Sequence, residues 1–238
     1  SVALEVIGRC GFGHSFGFGD PDGEAGRNAF IDALTRTLAY TQETAIPVIG
    51  SITGRNRRRQ ADADTDLILG TVNQVLEDRR RSGLRADDLL DLMLYPTSEE
   101  SKLDDENIRH QMLTFLVAGH ETTGNLLAFA AHFLATHPDA AQRMREERQS
   151  ITDGRALNFD EVPKLRFTRA VISESLRLWP TAPGFFRAAR TDTTLGDYTF
   201  SKGEWIFILL LAVHRDQAVW GADADEFRPE RFLQDRVP

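Results

Sequence analysis

The sequence holds a single cysteine, Cys10, among 238 residues. That count excludes a disulfide framework and any CxxC metal site and fits a reducing cytoplasm; no residue is expected as a metal ligand. A basic surplus is also lacking: 28 Lys and Arg against 36 Asp and Glu give a formal net charge of -8. Nucleic acid and anionic membrane both reward a basic surface, so neither is expected as the main partner. The one local exception, "RNRRR" at Arg55 to Arg59, is followed by Asp62, Asp64 and Asp66. It reads as a solvated helix end carrying both signs. No signal peptide opens the chain. The longest apolar run, "WIFILLLAV" from Trp205 to Val213, is far short of the roughly 20 residues that span a bilayer, and reads as a buried strand.

What is present is a globular composition, 41% hydrophobic, in a length that fits one large domain or part of one. The glycine- and phenylalanine-rich start, "GRCGFGHSFGFGDPDG", reads as a turn-laden loop after a short apolar segment. Apolar periodicity then predicts helices over about 27–44 and 62–82, a shorter one ended by Pro96, a long one over 103–136, another from Pro138, and one over about 166–178. After Pro180 come short strand-like runs between turn residues. The expected fold class is mainly α with a small β-sheet.

The long helix contains "FLVAGHETTGN", in which Gly119, Thr122, Thr123 and Gly124 lower helix propensity around a charged Glu121. Phe115, Ala118, Thr122, Leu126 and Phe129 follow steps of three or four and share a face. Ala118 and Gly119 leave a groove there, and Thr122 can return its hydroxyl to the Ala118 carbonyl. A flat ligand could lie in such a groove, and close helix packing through small residues explains the stretch equally well. "HETTG" is not a zinc-protease helix, because the second histidine of HExxH is replaced by Gly124.

Glu174 and Arg177 in "ESLR" are spaced to pair, but the same spacing recurs at Glu24/Arg27, Glu77/Arg80 and Glu106/Arg109. Only the first pair sits among Val171, Ile172, Leu176 and Leu178, which suggests partial burial, with Arg231 of "FRPERF" as a further partner. "GHSFG" matches the GxSxG of serine hydrolases at Ser15, yet that elbow needs a strand before and a helix after, and "FGFGDPDG" cannot open one. Nearby Cys10 is read as a buried structural cysteine.

Taken in order, "CGFG", "LDDENIRHQMLTFLVAGHETT", "ESLRLWPTAP", "VHRD" and "EFRPERF" resemble the cytochrome P-450 haem-thiolate monooxygenases. They look most like the bacterial fatty-acid hydroxylases whose haem domain is fused to an NADPH diflavin reductase. The resemblance implies haem (heme b) as cofactor and hydroxylation of a small apolar substrate, a fatty acid, with O2. It also implies electrons from NADPH through an FAD/FMN flavoprotein reductase, fused downstream or separate, in the cytoplasm. By position, Ala118 and Gly119 resemble the oxygen-binding groove, Glu121 and Thr122 the acid-alcohol pair of proton delivery, and Glu174, Arg177 and Arg231 the structural charge triad. Phe115 and Ala182 would face substrate. Arg187 would contact a haem propionate, or be an ordinary strand-end arginine.

The family's axial cysteine follows "PERF" in a glycine-rich loop, and the sequence stops at Pro238. Cys10 lies on the wrong side of every motif to replace it. The expectation is therefore an incomplete cytochrome P-450 fold, with residues 1–238 a central-to-late part of a single haem-binding domain, inactive alone. The competing classes are a serine hydrolase using Ser15 and a non-catalytic helical interaction domain.

Overall fold

The computed structural model describes residues 2–16, 24–44, 55–98, 100 and 102–233. They divide into two compact units, Ser1–Gly124 and Asn125–Pro238. The first contains α1 (Val2–Phe12), α2 (Glu24–Thr44), α3 (Arg55–Ser82), α4 (Leu89–Leu94) and the start of α5 (Asp105–Thr136).

Each helix of the first unit contributes residues at helical spacing to one buried cluster: Leu4 and Phe12 from α1, Phe30 and Leu34 from α2, Ile68, Val72 and Leu76 from α3, Leu90 from α4, and Ile108, Met112 and Leu116 from α5. Asp104 starts α5, its carboxylate accepting from the Asn107 amide at 2.8 Å. The helix runs in one piece through its two glycines to Thr136. Helix α3 begins at Arg55, earlier than expected, because the arginine run is itself helical. Arg57 pairs with Glu43 at 2.7 Å. Asp64 is not solvated as expected: it is buried and accepts from the Arg36 guanidinium at 2.8 and 2.6 Å, tying α2 to α3.

The N-terminus also departs from expectation, since residues through Phe12 are helical. A Cβ on Gly8 would come within 2.6 Å of the His14 carbonyl oxygen and the Phe16 ring. The glycine thus lets the chain fold back tightly against α1. Burial of Leu4, Phe12 and Phe16 outweighs a propensity penalty of about 1 kcal/mol per glycine. Residues 17–23 of the same stretch lie outside the described residues. Cys10 is exposed, not buried. Near it, Arg79 is buried and donates to Asp88 and Asp91, both at 2.8 Å, and to the Phe12 carbonyl at 3.1 Å. Burial alone would raise the Asp88 carboxyl, but the Arg79 hydrogen bonds and charge, together with the hydrogen bond from the Asp91 amide, hold it below its usual range.

The second unit continues α5 and adds α6 (Pro138–Thr152), a 3-10 turn (Phe159–Lys164), α7 (Arg166–Leu178), strands β1 (Gly184–Ala188), β2 (Thr193–Leu195), β3 (Tyr198–Phe200) and β4 (Trp205–Leu209), short helices α8 (Leu210–Val213) and α9 (Gln217–Trp220), and a 3-10 turn (Pro229–Leu233). β1 pairs antiparallel with β4, and β2 with β3. The expected buried strand is shorter and more open: β4 ends at Leu209, the residues after it turn into α8, and Trp205 and Phe207 are exposed. Glu147 of α6 caps α7, accepting from the Phe167 and Thr168 amides at 2.6 and 2.9 Å.

Glu174 and Arg177 are 0% and 2% exposed. Every Arg177 donor is used: two to Glu174 at 2.7 and 2.8 Å, and the others to the carbonyls of His214, Ala224 and Glu226 at 2.7, 2.6 and 3.1 Å. Removing one partner of such a buried pair leaves the other uncompensated, at about 3–5 kcal/mol. Arg177→Ala should lower unfolding free energy by that amount, read from the denaturant midpoint. A change within about 0.5 kcal/mol, the range of ordinary surface substitutions, would place the pair's energetics at the surface.

Glu161 offers a pH test. Its carboxylate accepts from Arg155 at 2.8 Å and from the Asn158 amide at 3.0 Å, and these bonds, Arg155 first, hold the carboxyl down at about 2 against an ordinary 4.5. A depressed carboxyl stabilises the fold above its unfolded pKa and loses that contribution as pH falls through the folded value. The melting-temperature gap between wild type and Glu161→Gln should therefore be open at pH 7 and close between about 4.5 and about 2. A gap that stays constant over that window would mean that the charge contributes nothing.

Candidate functional site

In the first unit, α1, α4 and α5 frame a groove of 470 Å³. Val6, Ile7 and Cys10 of α1 and Leu89 of α4 face Phe115, Ala118 and Gly119 of α5 across an almost wholly apolar lining. The groove exists because α5 carries two kinds of face. Met112 and Leu116 enter the core, while Phe115 is 40% exposed and Ala118 offers only a methyl group. Gly119 lies between these faces and is half-buried.

Thr122 stands one turn beyond Ala118. Its hydroxyl donates to the Ala118 carbonyl at 2.6 Å, leaving the oxygen's lone pairs able to accept. Threonine in a helix divides between two rotamers because of this back-bond, so the same hydroxyl can swing its proton outward. Glu121 and Thr122 are both exposed. Burial holds the neighbouring His120 imidazole below its ordinary value.

The second unit holds the remaining candidates. Ala182 is exposed in the segment before β1. Arg187, on β1 opposite Ile206, is exposed, with its guanidinium carbon 4.7 Å from the centre of the Phe185 ring. Glu174, Arg177 and Arg231 come together, but unevenly. Arg231 Nε is 3.4 Å from Glu174, whereas one terminal nitrogen donates to the Asp223 carboxylate and to the Trp220 carbonyl at 2.9 and 3.0 Å, and the other to the Asp223 carbonyl. Asp223 is thus the main anion for Arg231, and nothing in the "ADAD" spacing distinguishes it. Of the other pairs with the same spacing, Arg80 turns to Asp105 at 2.7 Å.

Ser15 has the wrong setting for a nucleophile. It follows a helix, donates to Glu5 at 2.6 Å and accepts from Arg9 at 3.2 Å. Among the described residues no group of three or more His, Cys, Asp and Glu side chains could hold a metal ion, and no helix is long and apolar enough to cross a membrane.

The family model for cytochrome P450 matches residues 1–238. Bifunctional cytochrome P450/NADPH–P450 reductase 2 of Bacillus subtilis (strain 168) is 38% identical over 97% of the chain and 22% of its own length. Reductase 1 of the same strain is 39% identical over 100% and 23%. Cyclooctat-9-en-7-ol 5-monooxygenase of Streptomyces melanosporofaciens is 40% identical over 70% of the chain and 36% of its own length. The chain thus spans less than a quarter of the two bifunctional relatives. With the model matched from end to end, and such identity across a long helix, a late helix with a buried ion pair and the sheet after it, the chain belongs to the cytochrome P450 family.

Proposed function

We propose that the protein containing these residues is a haem-dependent monooxygenase that hydroxylates an apolar substrate, a fatty acid in this reading, in the cytoplasm. Cytochrome P450 proteins use haem, and the bifunctional relatives are by name fused to an NADPH–P450 reductase, a class that carries FAD and FMN. In the proposal a reductase of that kind, fused or separate, passes electrons from NADPH, and both units belong to one haem-binding domain. The observation that carries the reading is Thr122: a hydroxyl held at 2.6 Å on the Ala118 carbonyl, one turn along α5 from an apolar groove and adjacent in sequence to Glu121.

The chain's own residues suit the cofactor. In the first unit, Ala118 and Gly119 line a wall against which a flat macrocycle can lie. In the second unit, taken by itself, Arg187 is exposed and makes no ion pair among the described residues, and the family resemblance is what would give it a propionate. When bound, the haem supplies the activation of O2. By the same resemblance, Phe115 in the first unit and Ala182 in the second would each face substrate. Thr122 would turn its hydroxyl from Ala118 to deliver a proton, and Glu121 would replace that proton from solvent, which its exposure permits. Buried Glu174, Arg177 and Arg231 would keep the second unit rigid. The Ser15 hydrolase reading and the non-catalytic reading have no comparable support.

Thr122→Ala in the haem-loaded, reductase-coupled enzyme should keep haem content and substrate affinity near wild type. Product formed per NADPH should fall and hydrogen peroxide rise. Proton delivery by a positioned group contributes roughly 10²- to 10⁴-fold, and a water filling the gap would soften the loss. Incubation with fatty acids of several chain lengths, with product identification, tests the substrate class. An intact product ratio with weakened binding would move Thr122 to the pocket wall.

A further inference from the structure

Gly119 was expected to widen the groove, but its missing Cβ is used on the other side. A Cβ there would run into the δ-methyl of Ile7 and lie 3.3 Å from the Ile7 Cγ1. Helix α1 thus fills the place of the Gly119 side chain. Ile7 is half-buried, packed against the core cluster that includes Met112 and Leu116, so its side chain bridges the core and the groove wall.

The turn that Ile7 presses on is the one Thr122 loosens. A threonine hydroxyl bonded to the carbonyl four residues earlier competes with the backbone ladder and bends a helix. The Thr122 bond to Ala118 spans Gly119, the residue least able to resist bending. Packed interiors respond to the loss of a single methyl group. A methyl seated on Gly119 therefore decides how far this turn can open.

We propose that Ile7 is a positioning residue for Thr122: seated where Gly119 has no Cβ, it holds the 118–122 turn of α5 and so the direction of the Thr122 hydroxyl. The inference rests on the proton-delivery reading of Thr122. Ile7 also lines the groove, so the test must separate positioning from ligand contact.

Ile7→Val removes only the δ-methyl, and Gly119→Ala returns a methyl to the same space from the opposite helix. In the haem-loaded, reductase-coupled enzyme, Ile7→Val should lower product per NADPH, raise peroxide and speed amide exchange over residues 118–123, with substrate affinity near wild type. Ile7→Val/Gly119→Ala should restore the exchange rates. An unchanged ratio and exchange in Ile7→Val, fast exchange that the double variant fails to slow, or a change in substrate affinity alone would each overturn the proposal. Thr122→Ala run in parallel isolates the underlying reading. If Thr122→Ala leaves the ratio intact, proton delivery fails on its own. Exchange over 118–123 then decides whether Ile7 holds the turn: faster exchange in Ile7→Val supports that hold, and unchanged exchange overturns it.

Discussion

A guanidinium carries five N–H donors and does not lose its charge in a protein. Burying one therefore dictates what surrounds it. Arg177 sets this condition in the second unit, and the chain meets it by bringing three carbonyls, from His214, Ala224 and Glu226, to one point beside Glu174. Those carbonyls belong to segments with little regular structure of their own. The guanidinium gives the irregular chain after β4 a fixed course, and the Arg228 amide closes it by donating to Glu174 at 2.8 Å. Arg79 plays the same part in the first unit, where it joins the end of α1 to the segment that starts α4. In each unit, then, a cationic side chain on a long helix organises the loops, and apolar packing supplies the bulk of the burial.

Helix α5 meets a different demand. Its residues to Gly124 serve a core and a groove at once, and the two faces need opposite side chains. Large residues at 108, 112 and 116 fill the core, while Ala118 leaves space and Gly119 admits Ile7 of α1. A uniformly good helix former at 118–124 would close that space. The poor propensity of "AGHETTG" is tolerated because the burial of Ile108, Met112 and Leu116 before it fixes the helix.

Much of this architecture was legible from periodicity. The helix over 166–178, the long helix ending before His137 and the helix starting at Pro138 lie where apolar spacing and proline place them. The misses have physical causes. The glycines of "IGRCGFG" are signals of flexibility when read locally, yet Gly8 is required by a chain return that only the fold reveals. The run after Trp205 has the composition of a buried strand, but apolar content alone does not separate strand from short helix or buried from exposed. Asp64 looked like one acid among several and proved to be the buried partner of Arg36, a pairing 28 residues apart.

The candidate site was legible unevenly for the same reason. Thr122 and Ala118 are four residues apart on one helix, so their bond follows from helical geometry. The Glu174/Arg177 pair is equally local, and among four identical spacings only the apolar residues around it marked it for burial. Ile7 carries no local mark at all: its relation to Gly119 crosses from the first helix to the fifth. A motif that spans one helix turn can report which groups are able to meet. It does not report which neighbour holds them there, and in the 118–122 turn that neighbour governs where a hydroxyl proton can go.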